Sequence, residues 1–414
     1  MTYQQKLKRN LKLIYLASFF SALIFVIPIW VAFERRILTF TQMAMLQSIL
    51  AAITISLELP TGALADLIGR KKTIVLGWLI RAIASMYEAF ASSFSMFFTA
   101  VIGFGISAAL ISGADTALTF DTLKELKQED DFPKFIAKTG LAHQSGLIIA
   151  TLLGGYLYRY WIGLPYFLMG ITALITSFII LYMIEPKIDT VKFTLKSYVN
   201  QTKYGFKELF KTDYMKKLTI YYTFVGGITW SCLYYYNQPF ATDVGFTEIQ
   251  MSWMFGITML LSSLGILLLV QSKKLLSRNR VYLGFPIIMS LALLPGIFAN
   301  KIIAPILLFG VTLSGSSRFA ILNKYTNKEF ESKYRATAIS ALNMLVNLFF
   351  IIVVGLSGKI QDLYNTKIIF TMLGILTVLL VFPSGWSLVK EYKRYTLNKG
   401  NINKIKKVNL SVRS

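Results

Sequence analysis

Apolar residues run along this chain in long blocks, and polar residues gather in short gaps between them. A helix rising 1.5 Å per residue needs about 20 mainly apolar residues to cross hydrocarbon. On that measure the pattern predicts twelve transmembrane helices, over residues 12–33, 41–62, 73–91, 94–118, 138–159, 163–184, 216–238, 247–271, 281–299, 302–322, 335–357 and 366–388. One long polar interval, 185–215, divides them six and six. The expected organisation is an N-terminal bundle over 1–184, a cytoplasmic linker over 185–215, a C-terminal bundle over 216–388 and a basic cytoplasmic tail over 389–414. The linker is lysine-rich and carries Tyr198, Tyr204, Phe206 and Phe210, which predicts a partly amphipathic helix along the membrane surface.

Composition agrees with the pattern. Of 414 residues, 55% are hydrophobic and 15% charged, which excludes a water-soluble domain. A net charge of +23 would suggest nucleic acid in a soluble protein, but here the cations occupy the gaps between apolar runs. With both termini placed in the cytoplasm, 35 of the 43 Lys and Arg fall on cytoplasmic segments and 6 on external ones, while Arg81 and Arg318 lie within helices. The positive-inside rule therefore accounts for the charge without a nucleic-acid partner, and the tail, with Lys404, Lys406 and Lys407, suits anionic lipid. A single cysteine, Cys232, excludes an internal disulfide, and a single histidine, His143, leaves no His-rich metal site. The first apolar run is too long for a cleavable signal and is expected to remain as helix 1. No P-loop, nucleotide-binding fold or Ser/His/Asp arrangement is readable, so the expectation is a protein that is not an enzyme, with no cofactor and no metal.

Between the second and third apolar runs stands GALADLIGRKKTI, Gly62 to Ile74. Tight turns at Gly62 and Gly69 would let helix ends approach, Asp66 could accept hydrogen bonds from a neighbouring helix N-terminus, and Arg70, Lys71 and Lys72 would hold the loop in the cytoplasm. Gly62, Leu64, Asp66, Gly69, Arg70 and Lys71 together resemble the loop signature of the major facilitator superfamily, with Leu67 where many members carry a cation. The resemblance implies an all-α membrane protein of two pseudo-symmetric six-helix bundles. It implies a monomeric transporter of a small-molecule substrate that works by alternating access, with Asp66 and Arg70 stabilising one closed state. Helix 5 resembles the antiporter signature of exporters at Gly146, Gly154 and Gly155, with Ala150 and Thr151 where Gly and Pro are usual. Small residues there allow close helix approach, and the glycine pair is expected to soften the helix as a hinge. Helix 4 runs on into SGADTALTFDTLKEL, which is similar to some bacterial members, but between Phe94 and Thr119 it lacks the arginine that drug–proton antiporters commonly carry. Arg81 on the adjacent helix is the candidate substitute.

Helix 10 repeats the small-residue stretch of helix 4, Ser314-Gly315-Ser316-Ser317 against Ser112-Gly113-Ala114-Asp115, while the segment SKKLLSRNR between helices 8 and 9 keeps cations and loses the Gly and Asp pattern. Charges inside helices are costly and therefore functional candidates. Glu58, Arg81 and Asp115, followed by Asp121, are expected at a similar depth. They form either a proton-carrying set, with Glu58 the better coupling acid, or a permanent ion-pair network. Trp230 on helix 7 and Asn343 and Asn347 on helix 11 are the candidate cavity-lining residues, Tyr235 and Tyr236 read as an interfacial aromatic belt, and Arg318 reads as a snorkelling cation. The expected function is a secondary transporter in the cell membrane, coupled to protons and exporting hydrophobic or amphipathic compounds. The alternatives are a transporter of a polar metabolite and a non-transporting sensor with the same fold.

Overall fold

The computed structural model describes residues 1–187, 195–272, 277–322, 325–326, 329–331 and 334–411, and at a few helical positions, Asp66 and 397–411 among them, the backbone alone. Among the described residues every regular element is helical. The first six expected spans correspond to α1 (Tyr3–Ser21) with α2 (Trp30–Glu34), α3 (Phe40–Ile68), α4 (Arg70–Glu88), α5 (Phe94–Ile111) with α6 (Ala114–Glu125), α7 (Phe132–Tyr160) and α8 (Leu164–Leu181). The linker holds α9 (Leu195–Leu209), as expected of an amphipathic segment. Then come α10 (Asp213–Ser231) with α11 (Asn237–Val244), α12 (Glu248–Gln271), α13 (Arg278–Leu293), α14 (Ala304–Ser317), α15 (Arg335–Leu363), and α16 (Thr366–Leu376) with α17 (Phe382–Ser411). Seven helices among the described residues are long and apolar enough to cross a membrane. Of the other spans, α4 and α7 are unbroken but more polar, the first is interrupted between Ser21 and Trp30, and the seventh and tenth contain π-helical turns at 232–236 and 318–322.

The local sequence explains where helices begin. Thr39 accepts from the Gln42 amide and Gln42 caps Thr39 in return; Ser93 and Thr212 cap α5 and α10 alone, and Pro133, Pro165 and Pro305 occupy first turns, where no N–H is needed. Several expected boundaries are corrected. α3 runs unbroken through Gly62, so no tight turn forms there: the reversal is made at Gly69 alone, with φ +96°, and α4 starts at the next residue. Helix 1 stops at Ser21 and resumes at Trp30, and helix 4 breaks at Gly113, with φ +76°, before restarting at Ala114. The last helix continues past the expected end at 388 to Ser411, into the stretch expected as a basic tail; the side chains of Lys404, Lys406 and Lys407 lie outside the described residues.

The chain divides into two compact units. Unit 1 comprises Met1–Val199, Tyr235–Leu260 and Ile351–Thr366, and unit 2 comprises Asn200–Tyr234, Leu261–Phe350 and Lys367–Ser414. In unit 1, α4 packs on α5 and α8, α3 on α5 and α1 on α7, around Ile14, Ile74, Leu118, Leu123, Phe135 and Ile180. In unit 2, α13 packs on α14, and α17 lies against α10 and α13.

α7 continues for 29 residues, with no break at Gly146, Gly154 or Gly155 in this conformation. They are close-approach positions: a Cβ at Gly146 would meet the Phe19 carbonyl at 2.5 Å, one at Gly154 the Phe25 carbonyl at 2.2 Å, and one at Gly155 the Glu248 carbonyl at 2.5 Å. Replacing Gly154 with valine should therefore lower stability by about 1–3 kcal/mol through overpacking. Gly140→Ala, at a helical site where a Cβ meets nothing within 4 Å, should be neutral or stabilising. Thermal unfolding midpoints of the two variants in one detergent check this, and equal midpoints would refute the packing role.

Candidate functional site

The family-like stretch builds a charged junction at one end of unit 1. Gly69 leaves the first amides of α4 without intrahelical acceptors, and the Glu185 carboxylate takes two of them, from Arg70 N at 2.8 Å and Lys71 N at 2.9 Å. A negative group at a helix N-terminus also complements the helix dipole. The Arg70 guanidinium turns aside to form an ion pair and hydrogen bond with Asp121 on α6. Nearby, Asn10 bonds Ile184 through both amide atoms, at 2.8 and 3.0 Å, and the Tyr3 hydroxyl donates to Glu125 at 2.7 Å. Burial, then the hydrogen bond to Glu125, pushes the Tyr3 hydroxyl up to about 12, so it remains a neutral donor. The turn, α1, α6 and the segment after α8 are thus tied at one point. The Asp66 side chain lies outside the described residues. Glu185, which caps the helix, escapes the sequence reading; its only signal is an acid placed just past a span and beside Pro186.

Asp121 pairs with Arg70, away from Arg81. Arg81 donates to Ser107 Oγ at 3.4 Å and lies 5.5 Å from the Trp78 ring and 5.8 Å from the Phe104 ring. Asp115 stands in the first turn of α6, where Gly113 has just restarted the helix, and opens on a small cavity lined also by Ser18, Ser21, Trp78 and Thr176. Trp78 is the side chain common to the surroundings of Arg81 and Asp115. Glu58 is half-buried on α3, two residues before Pro60.

Unit 2 carries a counterpart of the junction that the sequence hides. Arg278 opens α13 as Arg70 opens α4, and it pairs with Glu329 at 2.8 Å. The same guanidinium donates to the Tyr214 hydroxyl at 2.7 Å, and Tyr395 reaches Glu329 at 3.2 Å. The partner differs from the aspartate of unit 1 and no glycine precedes the arginine, so the repeat is visible only in three dimensions. Farther along α10, Tyr222, Gly226 and Trp230 share a face at successive four-residue steps. Arg318 fills the space that Gly226 leaves, 5.4 Å from the Tyr222 ring and 5.6 Å from the Trp230 ring. At 2% exposure it is a buried cation, not the snorkelling one expected, because α10 supplies an aromatic clamp with a gap of its size. Trp230 is half-buried and stacks on Tyr234 with ring centres 3.8 Å apart, whereas Asn343 is exposed and Asn347 half-buried on α15.

At the end of unit 1 away from Arg70, segments from the C-terminal half of the chain fasten onto the N-terminal half. Asp362 accepts from Phe40 N at 2.8 Å, Thr41 N at 2.9 Å and Thr41 Oγ1 at 2.6 Å, capping α3 as Glu185 caps α4. Gln238 accepts from Val31 N at 2.7 Å and donates to the Pro28 carbonyl at 3.1 Å. Gly155 N donates to Ser252 Oγ at 2.8 Å, through the gap that a side chain would close. Tyr236, expected in an interfacial belt, is instead fully buried and donates to Ser357 Oγ at 2.6 Å, and Tyr235 is buried beside it. Polar side chains that bind main chain across helices leave no periodic signal, which is why Asp362 and Gln238 also escape the sequence reading.

Comparison with known proteins agrees with this arrangement. The model of the Major Facilitator Superfamily matches residues 13–236 and 220–410. A Bacillus subtilis (strain 168) protein described as an uncharacterized MFS-type transporter, YxaM, is 24% identical over 325 residues, 76% of this chain and 79% of its own. Multidrug resistance protein 2 of the same organism is 31% identical over 130 residues, 31% of each chain. The crystal structure of the nucleoside transporter NupG superposes with a TM-score of 0.71 at 16% identity, covering 94% of this chain and 100% of the other. The chain is therefore a multi-pass membrane transporter of the major facilitator superfamily.

Proposed function

We propose that this transporter exports hydrophobic or amphipathic compounds by alternating access, driven by inward movement of protons. The observation that carries the reading is the glycine face of α7. Gly146, Gly154 and Gly155, the positions that resemble an exporter signature, are each in close contact with a neighbouring segment, α1, the turn between α1 and α2, and the start of α12. The partial similarity to a multidrug resistance protein supports it. In this reading the Arg70 end of unit 1 and both termini face the cytoplasm of a bacterial-type cell, following the distribution of Lys and Arg. The Arg70–Asp121 and Arg278–Glu329 pairs serve as gate contacts, with Glu185 holding the first in register. Trp230 with its neighbours Tyr222 and Arg318, together with Asn343 and Asn347, supplies the substrate-facing groups, and Glu58 and Asp115 are the acids that the sequence puts forward for coupling. The working unit is a monomer.

The exposure of Asn343 favours a second reading, a polar metabolite as substrate. Efflux of lipophilic cations and uncharged antibiotics from energised cells separates the two. The expected result is efflux that stops when an uncoupler collapses the proton gradient and that survives Asn343→Ala with Asn347→Ala. Efflux that persists without the gradient would overturn proton coupling. No efflux of any panel compound by correctly inserted protein would overturn the exporter reading.

A second expectation concerns the gate. Asp121→Asn should slow efflux about tenfold, equivalent to about 1.4 kcal/mol, at unchanged protein level. Exchanging the partners, Arg70→Asp with Asp121→Arg, should recover part of the rate. An Asp121→Asn variant with wild-type kinetics would remove the pair from the gate.

A further inference from the structure

Glu34 and Glu88 stand at the end of unit 1 opposite Arg70 and belong neither to the gate pair nor to the cavity beside Asp115. Glu34 closes α2 and Glu88 closes α4, and they are only 5% and 4% exposed. They are near enough that the charge of Glu34 acts on Glu88, and both act on Tyr166 of α8. The walls are aromatic: Phe33 lies 4.7 Å from Tyr166 and 5.8 Å from Phe97 between ring centres. Among the described residues the Oε2 atoms of both glutamates are buried without a hydrogen-bond partner. So is the hydroxyl of Ser85, fully buried on α4 and one turn before Glu88 on the same face. The other charged and titratable groups around the pair are Arg36, Tyr158 of α7, Tyr166, and Tyr235 with Arg35 and Asp362 beside it. The Arg36 guanidinium is laid over the Phe33 ring at 4.2 Å and donates to the Phe33 carbonyl at 2.8 Å. Neither glutamate has an ion-pair partner among the described residues.

Two buried carboxylates in an aromatic enclosure, with no ion-pair partner among the described residues, cannot both stay ionised, and a carboxyl that takes a proton becomes neutral and gains a donor. The enclosure offers too few oxygens for a hard cation such as calcium, which takes about six to eight. We propose that Glu34 and Glu88 form a proton-binding site, at least one of the two buried carboxyls holding a proton at neutral pH, and that this pair, rather than Glu58 or Asp115, is the coupling site of the transporter; its coupling role rests on the proton-driven reading above. The site is linked to the fastening at its end of the unit. α2 carries Glu34 at its last residue, and the amide of Val31 in its first turn is held by Gln238. Tyr235 donates to the Phe40 carbonyl at 3.3 Å and its ring lies tilted against Trp30 with centres 5.6 Å apart. Releasing Gln238 and Asp362 would let water reach the pair, where both carboxyls can ionise, and refastening them would force a proton on. Proton uptake is thereby tied to closure of this end.

The test is infrared spectroscopy of the full-length protein in lipid at neutral pH, which reads protonated carboxyl groups without needing a transported substrate. Wild type should show a protonated carboxyl band that shifts in heavy water. Glu34→Gln and Glu88→Gln should each weaken or shift it and together remove it, while Glu58→Gln and Asp115→Asn keep it. If a glutamine variant fails to insert, Glu34→Asp and Glu88→Asp should move the band, and an unmoved band overturns the proposal. Absence of the band from wild type, or its survival unchanged in the double variant Glu34→Gln with Glu88→Gln, also overturns it. Loss of the wild-type band on adding sodium would reassign the pair to a metal ion and overturn it as well. A band that behaves as expected, in a protein that exports no panel compound, would leave the proton site standing while the exporter reading falls.

Discussion

Main-chain amides at the start of a helix need acceptors, and the reversal at Gly69 creates that need at the most constrained point of unit 1. α3 ends at Ile68 and α4 starts at Arg70, so no loop is available to fold back and satisfy them. Glu185 does so from beyond the end of α8, the last helix of the first six. Its carboxylate occupies the amides, and the Arg70 side chain remains available to reach Asp121 on α6. One carboxylate thus fixes the α3–α4 turn against the end of α8, and the Arg70–Asp121 pair inherits its position from that contact. At the other end Asp362 treats the amides of Phe40 and Thr41 in the same way. Two acids distant in sequence from the helices they cap therefore set the ends of α3 and α4.

What was legible in the sequence follows from which interactions are local. The spans were legible because hydrocarbon demands long apolar blocks, and Gly69 because a positive φ strongly favours glycine at a one-residue reversal. Gly62 was misread: inside the same signature it looks like a turn residue, but helix propensity over 40–68 carries the backbone through it. The glycines of α7 were found without their mechanics being fixed, since softening a helix and admitting a neighbour call for the same small residues. Glu185, Asp362 and Gln238 were missed because a side chain that bonds main chain far away imposes no spacing on its own segment. Glu34 and Glu88 were missed because acids at helix ends look like solvated loop residues, and only the packing of Phe33, Phe97 and Tyr166 shows otherwise.

The exposure of the two arginine pairs bears on why a gate would use them. A fully exposed pair contributes about 1 kcal/mol or less, too little to hold a closed state by itself. Separating a fully buried pair leaves bare charges at a penalty of about 3–5 kcal/mol, too much for a contact remade in every cycle. Arg70 and Asp121 are 21% and 15% exposed in their side chains, and Arg278 and Glu329 are 14% and 11% exposed. Both pairs lie between the limits, at the start of the third helix of their respective halves. In unit 2 the surrounding tyrosines, Tyr214, Tyr325 and Tyr392, give the arginine neutral contacts that persist when the carboxylate leaves. Arg70 has no such ring in contact among the described residues, and the capped turn beside it takes that part by fixing where the guanidinium starts. Each half thus places an arginine at the start of its third helix against a carboxylate of intermediate exposure, with different supports, which is the range of strength that the proposed gate requires.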